Sequence, residues 1–194
     1  MAVLSVSAFV CAGGNAKEPK YKGPKVLGHY RIDSSVSVQS MFGRLGLPEK
    51  INGKSFCYQS EDSKAYLWFQ LMAHDSKHVG GVLLSSFANC HGQSVVTTAE
   101  SLPTWKTEKG IGLNSTEQEV VTAYGKPSEI KKVEGNAFRW VIKGDYIKGD
   151  QYTNRKIRER GDKVLVYSTS EDLYTAEFGL LGGHVVWIFL SDSE

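Results

Sequence analysis

The sequence contains two short stretches that share one pattern of glycine, proline and isoleucine. Residues 44–51 read RLGLPEKI and residues 123–130 read AYGKPSEI, so the shared residues recur 79 positions apart. Glycine directly after an amphipathic segment is a common helix C-cap, because it adopts positive φ without strain, and a proline shortly afterwards prevents the helix from continuing. The repetition therefore predicts two helices of the same kind, each opening a similar structural unit.

Apolar residues precede each of these glycines at helical spacing. They are Val38, Met41, Phe42 and Leu45 in the first segment, and Val120, Val121 and Tyr124 in the second. Ser115 and Gln118 have the spacing of a capping box, in which a hydroxyl accepts from a backbone N–H and the amide reaches back. The sequence thus predicts an amphipathic helix in each half, with this box at the start of the second.

Segments rich in β-branched and aromatic residues follow each predicted helix. The predicted strands are 54–60, 64–71 and 78–86 in the first half, and 136–143, 163–170, 173–180 and 184–191 in the second. The LGG turn at 181–183 is typical of a short hairpin, so the strands are expected to be antiparallel. Residues 143–162 are polar and charged, and we interpret them as an exposed insertion.

Alternation along two strands predicts a sheet with one face under the helices. The inward sets are Ala65, Leu67, Phe69 and Leu71, and Tyr174, Ala176, Phe178 and Leu180; the outward sets are Tyr66, Trp68 and Gln70, and Thr175, Glu177 and Gly179. Exposed aromatic residues commonly mark contact sites. We therefore expect another protein to bind the outward face through Tyr66, Trp68, Gln70 and Tyr58. The alternative is that the other repeat, the insertion or the N-terminal segment covers this face.

This helix, Gly-x-Pro and antiparallel-strand pattern, present twice, resembles the β-lactamase-inhibitor-protein-like fold. It is also similar to small outer-membrane-barrel assembly lipoproteins, which use a single copy of the unit. The resemblance is carried by VQSMFGRLGLPEK with AYLWFQL, and by GLNSTEQEVVTAYGKP with TAEFGLLGGHVVWIFL. It implies an α+β fold of two tandem helix-plus-antiparallel-sheet repeats, over 30–90 and 103–194, joined by a linker at 91–102. The inhibitors have a disulfide in each repeat, whereas the second repeat here contains no cysteine.

The N-terminal residues 1–16 have the character of a secretory signal, with an apolar run over 2–10 followed by small residues. No basic residue precedes that run, and a first strand of a cytosolic protein is the alternative. Residues 17–29 are locally basic, and we interpret them as a solvated tether that is compatible with peripheral cell-envelope association. We expect a secreted or periplasmic protein; lipidation of Cys11 is less favoured because Val10 precedes it.

Removal of residues 1–16 would leave Cys57 and Cys90 as the remaining cysteines. An even number in an oxidising compartment favours a disulfide between them, and two buried free thiols are the alternative.

The remaining patterns give little indication of catalysis, nucleic-acid binding or metal binding. A net charge of +2 is too balanced to indicate a nucleic-acid partner. The Gly53–Ser55 tripeptide is not a phosphate loop, because Pro48 stands where that loop needs glycine and a strand is predicted to follow. A zinc site would need His74, His78, Cys90 and His91. The segment AHDSKHVGG instead has the composition of a hairpin connection.

Taken together, these patterns predict a non-catalytic protein-binding module without metal or cofactor. The alternative function is a small-ligand receptor or enzyme that uses a cleft between the repeats.

Overall fold

The computed structural model describes residues 21–32, 34–47, 55–72, 74–87, 95–132, 160–168 and 174–192. The first half contains β1 (Val26–Leu27), β2 (Tyr30–Arg31), β3 (Val36–Ser37), α1 (Val38–Leu45), β4 (Ser55–Ser60), β5 (Tyr66–Leu71), β6 (His78–Ser85) and β7 (Val95–Thr98). The second half contains a 3₁₀ turn (Leu102–Thr104), α2 (Glu117–Tyr124), β8 (Glu129–Lys132), β9 (Lys163–Ser168), β10 (Tyr174–Leu181) and β11 (His184–Asp192). The predicted strand 136–143 lies outside the described residues, as do the predicted signal segment 1–16 and most of the insertion 143–162.

Most of the described strands belong to a single sheet in the order β7-β4-β5-β6-β11-β10-β9-β8, with β3 also paired to β6. All its ladders are antiparallel except the one between β4 and β7. The β6–β11 ladder joins the halves, because residues 81–85 pair with residues 187–191. The α+β class and the mainly antiparallel sheet are therefore confirmed. No helix within the described ranges is long and apolar enough to cross a membrane.

Both predicted helices end where the sequence indicates. Gly46 follows α1 with φ 97°, and its N–H donates to the Phe42 carbonyl at 3.0 Å. Gly125 follows α2 with φ 78°, and its N–H donates to the Val121 carbonyl at 2.7 Å. These positive φ values explain why glycine occupies both positions.

The capping box of α2 lies one residue later than Ser115 and Gln118, so that prediction is wrong. The N-cap is Thr116, whose hydroxyl accepts from the Glu119 backbone N–H, and the Glu119 carboxylate accepts from the Thr116 N–H at 2.6 Å. That backbone bond and the Thr116 hydroxyl hold the pKa of Glu119 below its usual value. Ser115 instead belongs to the preceding turn, where its Oγ accepts from the Gly112 N–H at 3.1 Å.

The helices pack on one sheet face, which we call the helix-side face. The inward residues predicted for β5 and β10 all lie in or against the core on this face, as do Val38, Met41 and Leu45 of α1. Two tyrosines tie the strands to the helix ends: Tyr58 Oη donates to the Gly46 carbonyl at 2.7 Å and Tyr167 Oη donates to the Gly125 carbonyl at 3.0 Å. Burial raises the pKa of both phenols, that of Tyr167 to about 12.

On the opposite face, Trp187 of β11 lies flat against Gly179 of β10. These residues are directly paired, and a Cβ added to Gly179 would fall 1.9 Å from the indole Cε2. Glycine is therefore required here by the close approach of the indole ring.

We expect Gly179→Ala to lower the free energy of unfolding by about 1–3 kcal/mol, because the indole must move from its packed position. The matched control is Gly43→Ala in α1, where an added Cβ meets nothing within 4 Å. That change should raise stability by about 0.5–1 kcal/mol, because alanine is the better helix former. Urea unfolding of both variants measures the difference; a Gly179→Ala protein as stable as the parent would contradict this packing.

Candidate functional site

The predicted binding residues lie on the sheet face opposite the helices, which we call the outer face. Cross-strand partners share a face, and one row of partners crosses the whole sheet. That row is Val95, Cys57, Trp68, Leu83, Phe189, Glu177, Val166 and Glu129. Its central members from Cys57 to Val166 are all buried, and the apolar ones form a second hydrophobic cluster with Val164 and Trp187.

The expectation that Trp68 is exposed is wrong. Its side chain is on the predicted outer side of β5 but only 2% exposed, because it packs with Cys57 and Leu83 in this second cluster. Among the described residues, none accepts a hydrogen bond from its indole N–H. Glu177 was likewise predicted to face outwards and is 1% exposed, between Phe189 and Val166 in the row. The outer face is therefore a packed layer at its centre and not a free surface.

Tyr58 also differs from the prediction, since it lies on the helix-side face. It pairs with Leu67, whereas Cys57 pairs with Trp68, so the register of β4 against β5 directs the phenol towards α1. Its ring is fully buried, and its hydroxyl is used by the end of α1. Tyr58 is a core residue that a partner does not reach.

Tyr66 and Gln70 remain partly exposed on the outer face, near the β7 end of the sheet. Gln59 pairs with Tyr66 and with Thr97, so these three side chains form a row leading to the last strand. Val95, on the same strand and face as Thr97, is 42% exposed. We call Gln59, Tyr66, Gln70, Val95 and Thr97 the edge patch. It keeps two of the four predicted binding residues and adds three that the sequence did not indicate.

The two edges of the sheet differ in charge. Among the described strands, β7 pairs with β4 alone and β8 pairs with β9 alone. β8 reads EIKK and carries three charged residues, whereas β7 reads VVTT and carries none. Charged side chains, lysine above all, protect edge strands from pairing with other chains. The β7 edge lacks that protection.

The end of α1 adjoins the same edge. A Cβ added at Gly46 would lie 3.4 Å from Val96 Cγ1, and the next residue, Leu47, is 72% exposed. Apolar residues are thus accessible on both sides of β7, Val95 on the outer face and Leu47 next to the helix end.

A polar cavity of about 330 Å³ lies between α1 and the β1–β2 hairpin. Its lining includes Arg31, Arg44 and four serines. This cavity was not predicted from the sequence. The serine-rich run SSVSVQS at 34–40, with arginines at 31 and 44, is the signal that could have indicated it.

The described histidines lie in separate places, and His29, His78 and His184 each contact a different residue. His78 Nδ1 contacts the Asp75 carboxylate. A hydrogen bond from the Lys77 backbone N–H, and to a smaller extent the contact with His78, lowers the pKa of Asp75. His74 is exposed, and His91 and Cys90 lie outside the described residues. Within the part of the chain that the structure describes, no three His, Cys, Asp or Glu side chains are grouped to hold a metal ion.

Cys57 is disulfide-bonded. Its partner lies outside the described residues, where Cys11 and Cys90 are both found. The pairing of Cys57 with Cys90 therefore stays a prediction.

Comparisons with known proteins give one structural likeness. A crystal structure of a DUF4309 family protein (YjgB) from Bacillus subtilis has 13% sequence identity and a TM-score of 0.41, over 81% of this chain and 78% of that chain. No protein-family model matches the sequence, and no curated protein matches it.

The burial of Trp68 predicts that its truncation destabilises the fold more than truncation of its partly exposed neighbour Tyr66. Trp68→Ala should lower the free energy of unfolding by about 3–5 kcal/mol, because it removes a large side chain from a packed cluster. Tyr66→Ala, one position earlier and partly exposed, should cost less than about 1 kcal/mol. Thermal unfolding of the two variants measures the contrast. Equal stability of the two would mean that Trp68 does not pack as described.

Proposed function

We propose that this protein is a non-catalytic binding module whose protein partner adds an extended segment to β7. The observation that carries the proposal is the uncharged, β-branched edge strand VVTT, which stands at the end of a sheet whose opposite edge is charged. An added strand gains main-chain hydrogen bonds from such an edge, and side chains flanking it supply selectivity.

The edge patch suits the role of flanking surface. Tyr66 offers an aromatic ring with a polar tip, and Gln59 and Gln70 offer amide donors and acceptors beside the exposed Val95. A small apolar centre with a polar rim is the usual anatomy of a protein interface. On the other side of the strand, a partner can cover Leu47. Trp68 on the same face and Tyr58 on the helix-side face would support this surface through packing.

We further propose that the two halves are tandem copies of one unit, as in the inhibitor-like fold. The support is a contact that occurs once in each half, a strand tyrosine whose hydroxyl donates to the carbonyl of the glycine ending the helix. Gly46 and Gly125 are the residues that recur in the sequence pattern.

The alternative function, a ligand or catalytic cleft between the halves, has weaker support. Residues 81–85 and 187–191 form a continuous ladder where the halves meet, and both sheet faces are buried along it. The described residues that line the cavity next to α1 all belong to the first half.

We also propose that the protein is exported to an oxidising compartment. Peripheral association with the cell envelope is consistent with this localisation. The support for export is the apolar N-terminal run of the sequence together with the disulfide at Cys57. Structural disulfides of this kind are rare in cytosolic proteins.

Binding at β7 can be tested with a displayed random-peptide library selected against the immobilised protein. We expect the selected peptides to protect β7 amides from hydrogen exchange. Val95→Lys should weaken their binding by about tenfold or more, because it places a charge at the unprotected edge. The matched control is Ile130→Lys on β8, also an exposed residue, at 52%. It should leave the affinity within about twofold.

The same selection can contradict the proposal. Peptides that bind Val95→Lys and the parent equally well, or that protect amides away from β7, would show that the edge is not the binding surface. Because Val95 is exposed, its substitution should change stability by no more than about 0.5 kcal/mol, and thermal unfolding verifies that the variant is folded.

The disulfide gives a separate prediction for the chain from residue 17 onwards. Denatured without reductant, it should contain no thiol that an alkylating agent can modify, and peptide mapping should find Cys57 linked to Cys90. Reduction should lower the free energy of unfolding by about 2–5 kcal/mol. Alkylation of Cys90 without prior reduction would contradict the pairing.

A further inference from the structure

We infer that the cavity between α1 and the β1–β2 hairpin is a binding site for a small oxyanion, with a phosphate group as the best match. The cavity has a volume of about 330 Å³ and shares no residue with the edge patch. The inference is therefore independent of protein binding at β7.

One wall of the cavity is a face of α1. Ser37, Ser40 and Arg44 follow one another at spacings of three and four residues, so their side chains lie on the same side of the helix. Met41, between them, is buried and forms the apolar floor. The helix is fixed by the packing of Val38 and Leu45 in the core, so this wall is held in place.

The opposite wall is held by the hairpin and by β3. The Gly28 N–H donates to the Lys106 carbonyl at 3.0 Å, and Leu27 forms a bridge with Thr107, which ties the hairpin to the body of the protein. The loop after the hairpin leads into β3, where Val36 pairs with Val79 of β6. The cavity is thus bounded by elements anchored in the fold on both sides.

The described part of the lining is rich in donors, and none of its residues is acidic. Arg31 and Arg44 line the cavity together with Ser34, Ser35, Ser37 and Ser40. The Ser37 hydroxyl accepts from the Ser40 backbone N–H at 3.1 Å, which leaves its own proton available to donate. Among the described residues, none accepts a hydrogen bond from the Arg44 side chain.

The nearby carboxylate of Glu100 is already engaged. Its Oε1 contacts Nε2 of His29, a lining residue, at 2.5 Å, and Glu100 itself is not among the described lining residues. Asp33 lies outside the described residues and is not included in the site.

This arrangement matches a phosphate group better than a cation or an apolar ligand. Arginine forks bind phosphate and carboxylate oxygens in pairs, and serine hydroxyls can donate to the remaining oxygens of a tetrahedral anion. The volume is at the lower end of the range for small-molecule sites, which suits a phosphate carried on a small molecule.

The test is a titration of the full chain with inorganic phosphate at constant ionic strength, followed by amide NMR. We expect the amide chemical shifts to change in a saturable way, with the largest changes in residues 29–44. Arg44→Ala should weaken phosphate binding by about tenfold or more, and Arg44→Lys, which keeps the charge but loses the fork, should have an intermediate effect. The control Lys126→Ala removes one exposed positive charge elsewhere and should leave the affinity within about twofold.

Sulfate should compete with phosphate, and acetate should bind more weakly, because it presents fewer oxygens to the hydroxyls. Shifts that are absent at millimolar phosphate, that lie outside residues 29–44, or that weaken equally in Lys126→Ala and Arg44→Ala would overturn the inference. Acetate binding more tightly than phosphate would overturn the assignment to phosphate. Because Arg44 is exposed, unchanged thermal unfolding of its variants shows that any loss concerns the site and not the fold.

Discussion

The ladder between β6 and β11 is the interaction on which the described architecture depends. It joins strands from the two halves of the chain over residues 81–85 and 187–191, and it makes their strands one sheet. Rows of cross-strand partners then run from β7 to β8 without interruption. Hydrophobic side chains lie on both faces along this ladder, so its central strands are buried on both sides.

Burial of the sheet centre decides where another molecule can bind. Trp68 and Phe189 are both next to Leu83 in one row, and all three are buried. What remains accessible is at the margins: the uncharged β7 edge, with the edge patch beside it, and the polar cavity next to α1. A sheet that is packed at its centre can bind other molecules at its edges and in the spaces beside its helices. The β7 edge and the cavity next to α1 are sites of these two kinds.

The helix ends link local sequence to this global arrangement. Gly46 and Gly125 each end a helix with positive φ, and each carbonyl accepts from a strand tyrosine, which is 12 residues further along the chain in the first case and 42 residues further in the second. A buried hydroxyl without such a partner would cost about 1–3 kcal/mol, so these contacts fix where each helix lies on the sheet. The recurring glycines are therefore both helix stops and attachment points.

The sequence by itself determined the elements that depend on local periodicity and capping. It placed both helices, their terminal glycines, the main described strands and the inward sets of β5 and β10, because each follows from the spacing of apolar residues or from a positive φ. It missed the N-cap by one residue, since Ser115 and Thr116 are both suitable caps and only the preceding turn decides between them. It could not determine that Trp68 is buried, that Tyr58 faces α1, or that β7 is an edge strand among the described strands. Those features depend on register and strand order, which are set by contacts between residues far apart in the chain, and only the tertiary structure decides them.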